Sequence, residues 1–257
     1  FWLFRLLWRR QSQGKSQKIA KKDYLRLLFC GLFGVCLNQM LFFEGLFRTS
    51  EINSSIMMTS NPLIVLIIAA LFINERITGP KIIGIIIGGI GATLIILSGD
   101  RSVEGSSRFG DLLILGNSAC YAIYLVSVKP LMKKYHPMLV ISWVFLFGAL
   151  FVIPLGFGQF TEINWDMPPS IIGSILFVII GTTFFAYLFN IYGVSKLNAS
   201  VVSSYIYLQP VLATIFALII SYDEKVGGIT YEKIGYAFLI FIGVYLVSKP
   251  QKSHMRA

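Results

Sequence analysis

The sequence predicts an all-α polytopic membrane protein, a bundle of transmembrane helices. Three observations carry this. Hydrophobic residues make up 56% of the 257 and charged residues only 13%, about half of the ~25% charge usual in a soluble domain. Mean hydropathy is +0.74. Apolar segments recur along the whole chain, each close to the ~20 residues that cross a ~30 Å hydrocarbon layer. Backbone groups in lipid must be satisfied internally, which leaves helices or closed barrels. The strict alternation of a barrel strand is absent.

In chain order, residues 1–8 (FWLFRLLW) read as the stub of one helix, too short for a secretory signal and followed rather than preceded by arginines. A polar arm leads to predicted spans at 23–46, 52–73, 78–99, 109–132, 138–158, 169–194, 198–221 and 229–248. No loop is long enough for a soluble domain. Cys30, Cys36 and Cys120 all lie inside apolar stretches, odd in number and without metal-like spacing, so they read as small packing residues.

The net charge of +10 divides between the two ends of these helices. The arm 1–26, the breaks near 74–81, 129–137 and 195–197 and the C-terminal tail hold 17 basic and two acidic residues. The opposite breaks hold five basic and ten acidic residues. The excess of Lys and Arg predicts that the first side, with the N-terminal arm and C-terminal tail, is cytoplasmic. The charge therefore reports orientation, and a nucleic-acid partner is not expected. The arm can also meet anionic headgroups, at about 1 kcal/mol per basic residue.

The two halves resemble each other. Residues 45–62 run GLFRTSEINSSIMMTSNP and residues 193–210 run GVSKLNASVVSSYIYLQP. A shift of 148 superposes Gly45 on Gly193, Arg48 on Lys196, Ser55 on Ser203, Asn61 on Gln209 and Pro62 on Pro210. Slips of a few residues then align Glu75 with Glu224 and Gly91 with Gly243. The charge count places the first repeat segment on one side and the second on the other. The expectation is two inverted repeats, residues 1–99 and residues 100–257 with the tail. Inverted repeats are a plan of secondary transporters, with the substrate site near the midplane. Matching loop lengths in the two halves would put one further helix, and most of another, ahead of Phe1.

The stretches GDLLILGNSACYAIYLVSVKPLMKKY (110–135), NQMLFFEGLFRTSEINSSIMMTSNPLIVLIIAALFINERIT (38–78) and SSYIYLQPVLATIFALIISYDEK (203–225) carry a resemblance. In this order they resemble the EamA-type branch of the drug/metabolite transporter superfamily, including its twice-used element of proline, about thirteen apolar residues and glutamate. The resemblance implies ten helices as two inverted five-helix repeats, with small-metabolite transport, often export, across a bacterial inner membrane. It fixes no single substrate.

Candidate site residues follow from polar groups at membrane depth. Pro62 and Pro210 fall near the middle of their predicted helices, where a proline removes one i→i−4 bond; the carbonyls freed would be those of Met58 and Ile206. Such a kink serves either a transport cavity or packing with Ser/Thr back-bonding. Asn61 and Gln209 precede the prolines and offer donors and acceptors suited to a zwitterionic or hydroxylated ligand; the alternative is interhelical glue. Asn38 and Gln39 are adjacent, Tyr187 is the repeat counterpart of Gln39, and Asn190 lies one turn below it. Asn117, Tyr121 and Tyr124 share one helical face. Ser55 with Thr59, and Ser203 with Tyr207, are i, i+4 pairs on the proline helices.

Glu44 is the acidic residue nearest a membrane interior, a candidate for proton coupling, but Arg48 four residues on favours a plain ion pair. Glu75 and Glu224 are candidates for gating, against a reading as solvated interfacial charge. Gly84, Gly88, Gly89 and Gly91 let the 78–99 helix pack closely, either within the chain or in a homodimer. GKS at 14–16 has Arg9 where a P-loop needs glycine. No H-E-x-x-H or G-x-S-x-G motif occurs, and the two histidines, His136 and His254, lie near a helix end and in the tail. No cofactor or metal is expected, and an enzyme is not.

The reading that follows is a secondary transporter, by expectation an exporter, of small metabolites such as amino acids. A membrane-embedded enzyme on lipid-like substrates would want clustered intramembrane acids or histidines, which the sequence lacks. A structural or sensory membrane protein would have a dry interface between repeats.

Overall fold

A computed structural model describes residues 1, 18–49, 51–97, 107–163, 165–212, 215 and 231–249. Its described residues contain helices and no strand. Helix α1 (Lys21–Arg48) carries a π-helical stretch at Leu32–Leu37. Helices α2 (Glu51–Met58) and α3 (Asn61–Ile73) follow, then α4 (Gly79–Leu97), α5 (Arg108–Met132) and α6 (Pro137–Thr161). Helix α7 (Pro169–Lys196) has its own π-helical stretch at Val178–Phe185. The short α8 (Ala199–Ser204) tightens into a 3-10 turn at Tyr205–Leu208, and α9 (Tyr231–Ser248) closes the described part.

Among the described residues, five spans are long and apolar enough to cross a membrane: Lys21–Arg48, Ser54–Ile73, Arg108–Met132, Pro137–Gly158 and Pro169–Lys196. Gly79–Leu94 and Ile234–Ser248 are shorter apolar helices. These match the predicted segments; of 198–221, residues beyond 212 other than 215 lie outside the described residues. The surface fits the same solvent. Phe47, Leu71 and Phe72 are 86%, 73% and 75% exposed, and the first two-thirds of α7 bury no side chain at all. A helix that is apolar all round belongs in hydrocarbon.

Helix ends have local causes. Pro62, Pro80, Pro137 and Pro169 sit in first turns, where a missing N–H costs nothing. Helix α3 stops at Asn74, the one non-glycine residue with positive φ (53°) among those described; asparagine tolerates this left-handed cap. Lys129 Nζ donates to the carbonyls of Val194 (2.5 Å) and Leu197 at the C-terminal end of α7. A cation there meets both the orphan carbonyls and the negative end of the helix dipole.

The chain gathers into two compact units. One contains Phe1–Met40 and Ile123–Leu197, the other Leu41–Ala122 and Asn198–Ala257. In the first, α1 packs on α6 by close backbone approach. A Cβ on Gly31 would meet Gly148 N at 2.8 Å, and a Cβ on Gly148 would meet Val35 Cβ at 2.6 Å. In the second, α4 packs on α9, α3 on α8 and α2 on α4. The α4–α9 contact runs through glycines. A Cβ on Gly243 would lie 2.6 Å from Gly84 O, Gly88 Cα and Gly88 N. A Cβ on Gly91 would lie 2.8 Å from Tyr236 O. Gly84, Gly88 and Gly91 thus serve packing within the chain.

Candidate functional site

In the first unit, α1 and α7 bring predicted residues together. Gln39 Nε2 donates to the Tyr187 hydroxyl at 3.1 Å. That hydroxyl lies 3.0 Å from Gly34 O and 3.4 Å from Asn38 Oδ1. It has one proton, and Gly34 is the nearer acceptor. Gly34 belongs to the π-helical stretch of α1, a distortion that misaligns the backbone ladder and recurs at functional sites. Its missing Cβ makes room for the Tyr124 ring, which is 1% exposed. Phe145 meets the Tyr187 ring edge-on at 5.0 Å. Asn38, Gln39, Tyr124 and Tyr187 therefore form one cluster, with Asn190 half-buried below it.

Gln39 and Tyr187 stand 148 positions apart, the shift that aligns the halves of the sequence. The same shift carries Leu32–Leu37 into Val178–Phe185, so the two π-helical stretches coincide.

In the second unit, the two prolines differ from expectation. Pro62 is not at mid-helix. The helix ends at Met58, turns at Thr59 and Ser60, and restarts at Asn61 with Pro62 in its first turn. Thr59 N–H and Oγ1 both donate to Ile56 O (3.0 and 2.7 Å); Ser60 N–H and Oγ both donate to Met57 O (3.1 and 2.6 Å). Side-chain back-bonding has turned a proline kink into a break. Near Pro210 the carbonyl of Ile206, expected to be freed, accepts the N–H of Gln209 through the 3-10 turn.

The other predicted groups here are dispersed. Asn61 is 2% exposed, and its Oδ1 has no hydrogen-bond partner among the described residues. Its repeat counterpart Gln209 is exposed, and Pro210 is half-buried. Tyr207 is 1% exposed, lies against Gly88 and donates its hydroxyl to Ile85 O at 3.1 Å. Ser203 donates to Ser200 O at 3.0 Å. Asn117 is buried, Tyr121 half-buried and Ser55 exposed.

The charged groups are more ordered than the sequence suggested. Glu75 is not solvated. It pairs with Lys81 at 2.7 Å, with side-chain exposures of 6% and 5%, and accepts a hydrogen bond from Ser200 on α8. Its Oε2 is buried and unpartnered among the described residues. Glu44 forms the exposed i, i+4 pair with Arg48 (Nε to Oε1 2.6 Å), an arrangement worth little. Glu224 lies outside the described residues.

The sequence reading missed a cluster where α1 begins and α5 ends. Asp23, 5% exposed, accepts Tyr135 OH at 2.7 Å and Lys134 Nζ at 3.1 Å on both oxygens. Tyr135 in turn accepts Ala20 N–H at 3.0 Å. A lysine and a tyrosine more than a hundred residues from the aspartate they meet leave no local signal of it.

Membrane-length helices with buried amides, tyrosines and glycine seams define a multi-pass membrane protein. The chain belongs to the EamA-like transporter family, whose family model matches residues 1–97 and 108–249. It is similar to an uncharacterized transporter of Archaeoglobus fulgidus (28% identity, 90% of this chain, 80% of that one) and to the uncharacterized transporter YyaM of Bacillus subtilis (27%, 92% and 77%). A probable terminal-alkyne amino-acid exporter of Streptantibioticus cattleyicolor is 24% identical over 77% of this chain and 65% of its own. A solved crystal structure superposes with a TM-score of 0.70 at 16% identity, covering 93% of this chain and 80% of that one; at that identity it speaks to fold alone. The family and the names of these relatives are those of transporters, not enzymes.

Proposed function

We propose that the protein is a secondary transporter that exports a small polar metabolite of amino-acid type by alternating access. The observation that carries it is the Gln39–Tyr187 hydrogen bond. In an inverted repeat, a residue touches its own counterpart only beside the pseudo-two-fold axis. The coincident π-helical stretches support the same symmetry, as do the helix break at 59–60 and the 3-10 turn at Tyr205–Leu208, which the shift also brings together. On this reading residues 1–99 and 100–257 are the repeats. Each compact unit draws on both halves of the chain.

The amide and phenol groups around Gly34 suit a ligand that both donates and accepts hydrogen bonds. The unmet oxygen of Asn61 suits a ligand N–H, since a buried acceptor without a donor is costly. Such sites are filled and emptied by gating of one repeat against the other. The amino-acid class takes support from the Streptantibioticus relative. The basic arm and tail, by charge, face the cytoplasm of a bacterial inner membrane.

Thiol labelling tests the alternation. The three native cysteines are buried, so an Asn61→Cys variant reports against a low background. A membrane-impermeant reagent should label it slowly at rest and faster once an amino-acid substrate is supplied. A rate indifferent to every substrate that the wild type moves would sink the reading.

A further inference from the structure

An open cavity of about 610 Å³ lies in the first unit, between the start of α1 and the end of α5. Lys22, Arg26 and Lys134 supply its positive charge, Asp23 its one carboxylate, and Leu25 and Phe29 its apolar wall. Its residues are none of those given to substrate. Lys22 and Arg26 are exposed, form no ion pair among the described residues, and stand at i and i+4 on one helical face. Like charges so placed repel each other, and an anion between them relieves that repulsion. Asp23 and Tyr135 fix Lys134 at the rim with its side chain 44% exposed. An ammonium has three N–H groups, and Asp23 engages at most two.

The cavity changes character along α1. Lys22 lies nearest the helix start, Leu25 (74% exposed) and Arg26 come one turn further along, and Phe29 lies deepest, one turn beyond Leu25 on the same face. Lys22 and Phe29 are about 10 Å apart along the axis at 1.5 Å per residue. Tyr24 meets Trp143 edge-on at 5.0 Å on the same stretch of α1, and such aromatics mark the headgroup level of a bilayer. Cations at the rim and an exposed apolar wall running inward match the phosphate and the acyl chain of one molecule. We infer that this cavity is a binding site for the headgroup of an anionic phospholipid, with the phosphate held by Lys22, Arg26 and Lys134 and an acyl chain along Leu25 and Phe29. A soluble phosphate would have no use for that wall. Bound there, the lipid bridges the start of α1 and the end of α5.

Native mass spectrometry of the full chain, titrated with phosphatidylglycerol and with phosphatidylcholine of the same chains, tests this. The wild type should retain phosphatidylglycerol as a discrete adduct and phosphatidylcholine at least about tenfold more weakly. The Lys22→Gln/Arg26→Gln variant should lose about tenfold or more in phosphatidylglycerol retention. The Lys133→Gln variant, an exposed neighbour outside the cavity, should match the wild type, and Arg26→Lys should stay within about threefold of it. Both substituted side chains of the double variant are exposed, and its melting temperature in detergent provides the check on folding. Equal retention of the two lipids, or of phosphatidylglycerol by the wild type and the double variant, would overturn the site. So would full displacement of the lipid by inorganic phosphate at equal concentration, which would make it a free-anion site.

Discussion

At the scale of residues, the most exacting arrangement is the pair Glu75–Lys81, with both side chains almost fully buried. A buried pair is a weak source of net stability, but removing one partner leaves an uncompensated charge. Glu75→Gln should therefore destabilise the protein by about 3–5 kcal/mol, and Glu75→Gln/Lys81→Met by clearly less, as read by thermal unfolding in detergent. If the double variant is the worse of the two, the bond from Lys81 Nζ to Arg76 O (3.3 Å) matters more than the ion pair. Tyr187→Phe is milder. It removes the acceptor for Gln39 and the donor to Gly34, and should cost about 1–2 kcal/mol in stability. On the proposed function it also raises the apparent KM for transport, because the Gln39 amide loses its orientation. Unchanged KM with lowered stability would leave Tyr187 a packing residue.

At the scale of elements, the seam between α4 and α9 is set by backbone contact. A Cβ at Gly243 meets backbone atoms of Gly84 and Gly88, which cannot rotate away. Gly243→Ala should lower the melting temperature, at a cost of about 1–3 kcal/mol. Gly235→Ala, on the same helix but with nothing within 4 Å of the added atom, should be neutral or gain up to about 1 kcal/mol from helix propensity. Equal effects at the two sites would mean that the seam does not govern the helix pairing.

Hydropathy made the helices legible, because each must fill the bilayer with apolar residues whatever its neighbours are. Their interruptions were harder to read. Pro62 marked the place, yet the outcome depended on Thr59 and Ser60 bonding backward to Ile56 and Met57. The π-helical stretches carry no proline and no charged residue, and so gave no warning. At the candidate site, the relation of Gln39 to Tyr187 was readable because the shift of 148 pairs the two residues that the hydrogen bond joins. Burial of Glu75 was not readable: Lys81 and Ser200 reach it only after α4 and α8 pack around the 74–78 loop.

At the scale of the whole molecule, membrane crossing and family membership place the protein among transporters, while the paired irregularities of the two halves support the alternating access proposed above. Two similar halves can exchange conformations, and one site then opens alternately to each side. Such a device needs no nucleotide and moves substrate in exchange as readily as in net flux. Counterflow in proteoliposomes isolates that property. Vesicles carrying the protein, preloaded with a saturating unlabelled amino acid and diluted into a trace of the labelled one, should accumulate label transiently above its outside concentration, and Asn61→Ala should weaken this. Folded protein that shows no counterflow with any member of a broad amino-acid and metabolite panel would contradict the account.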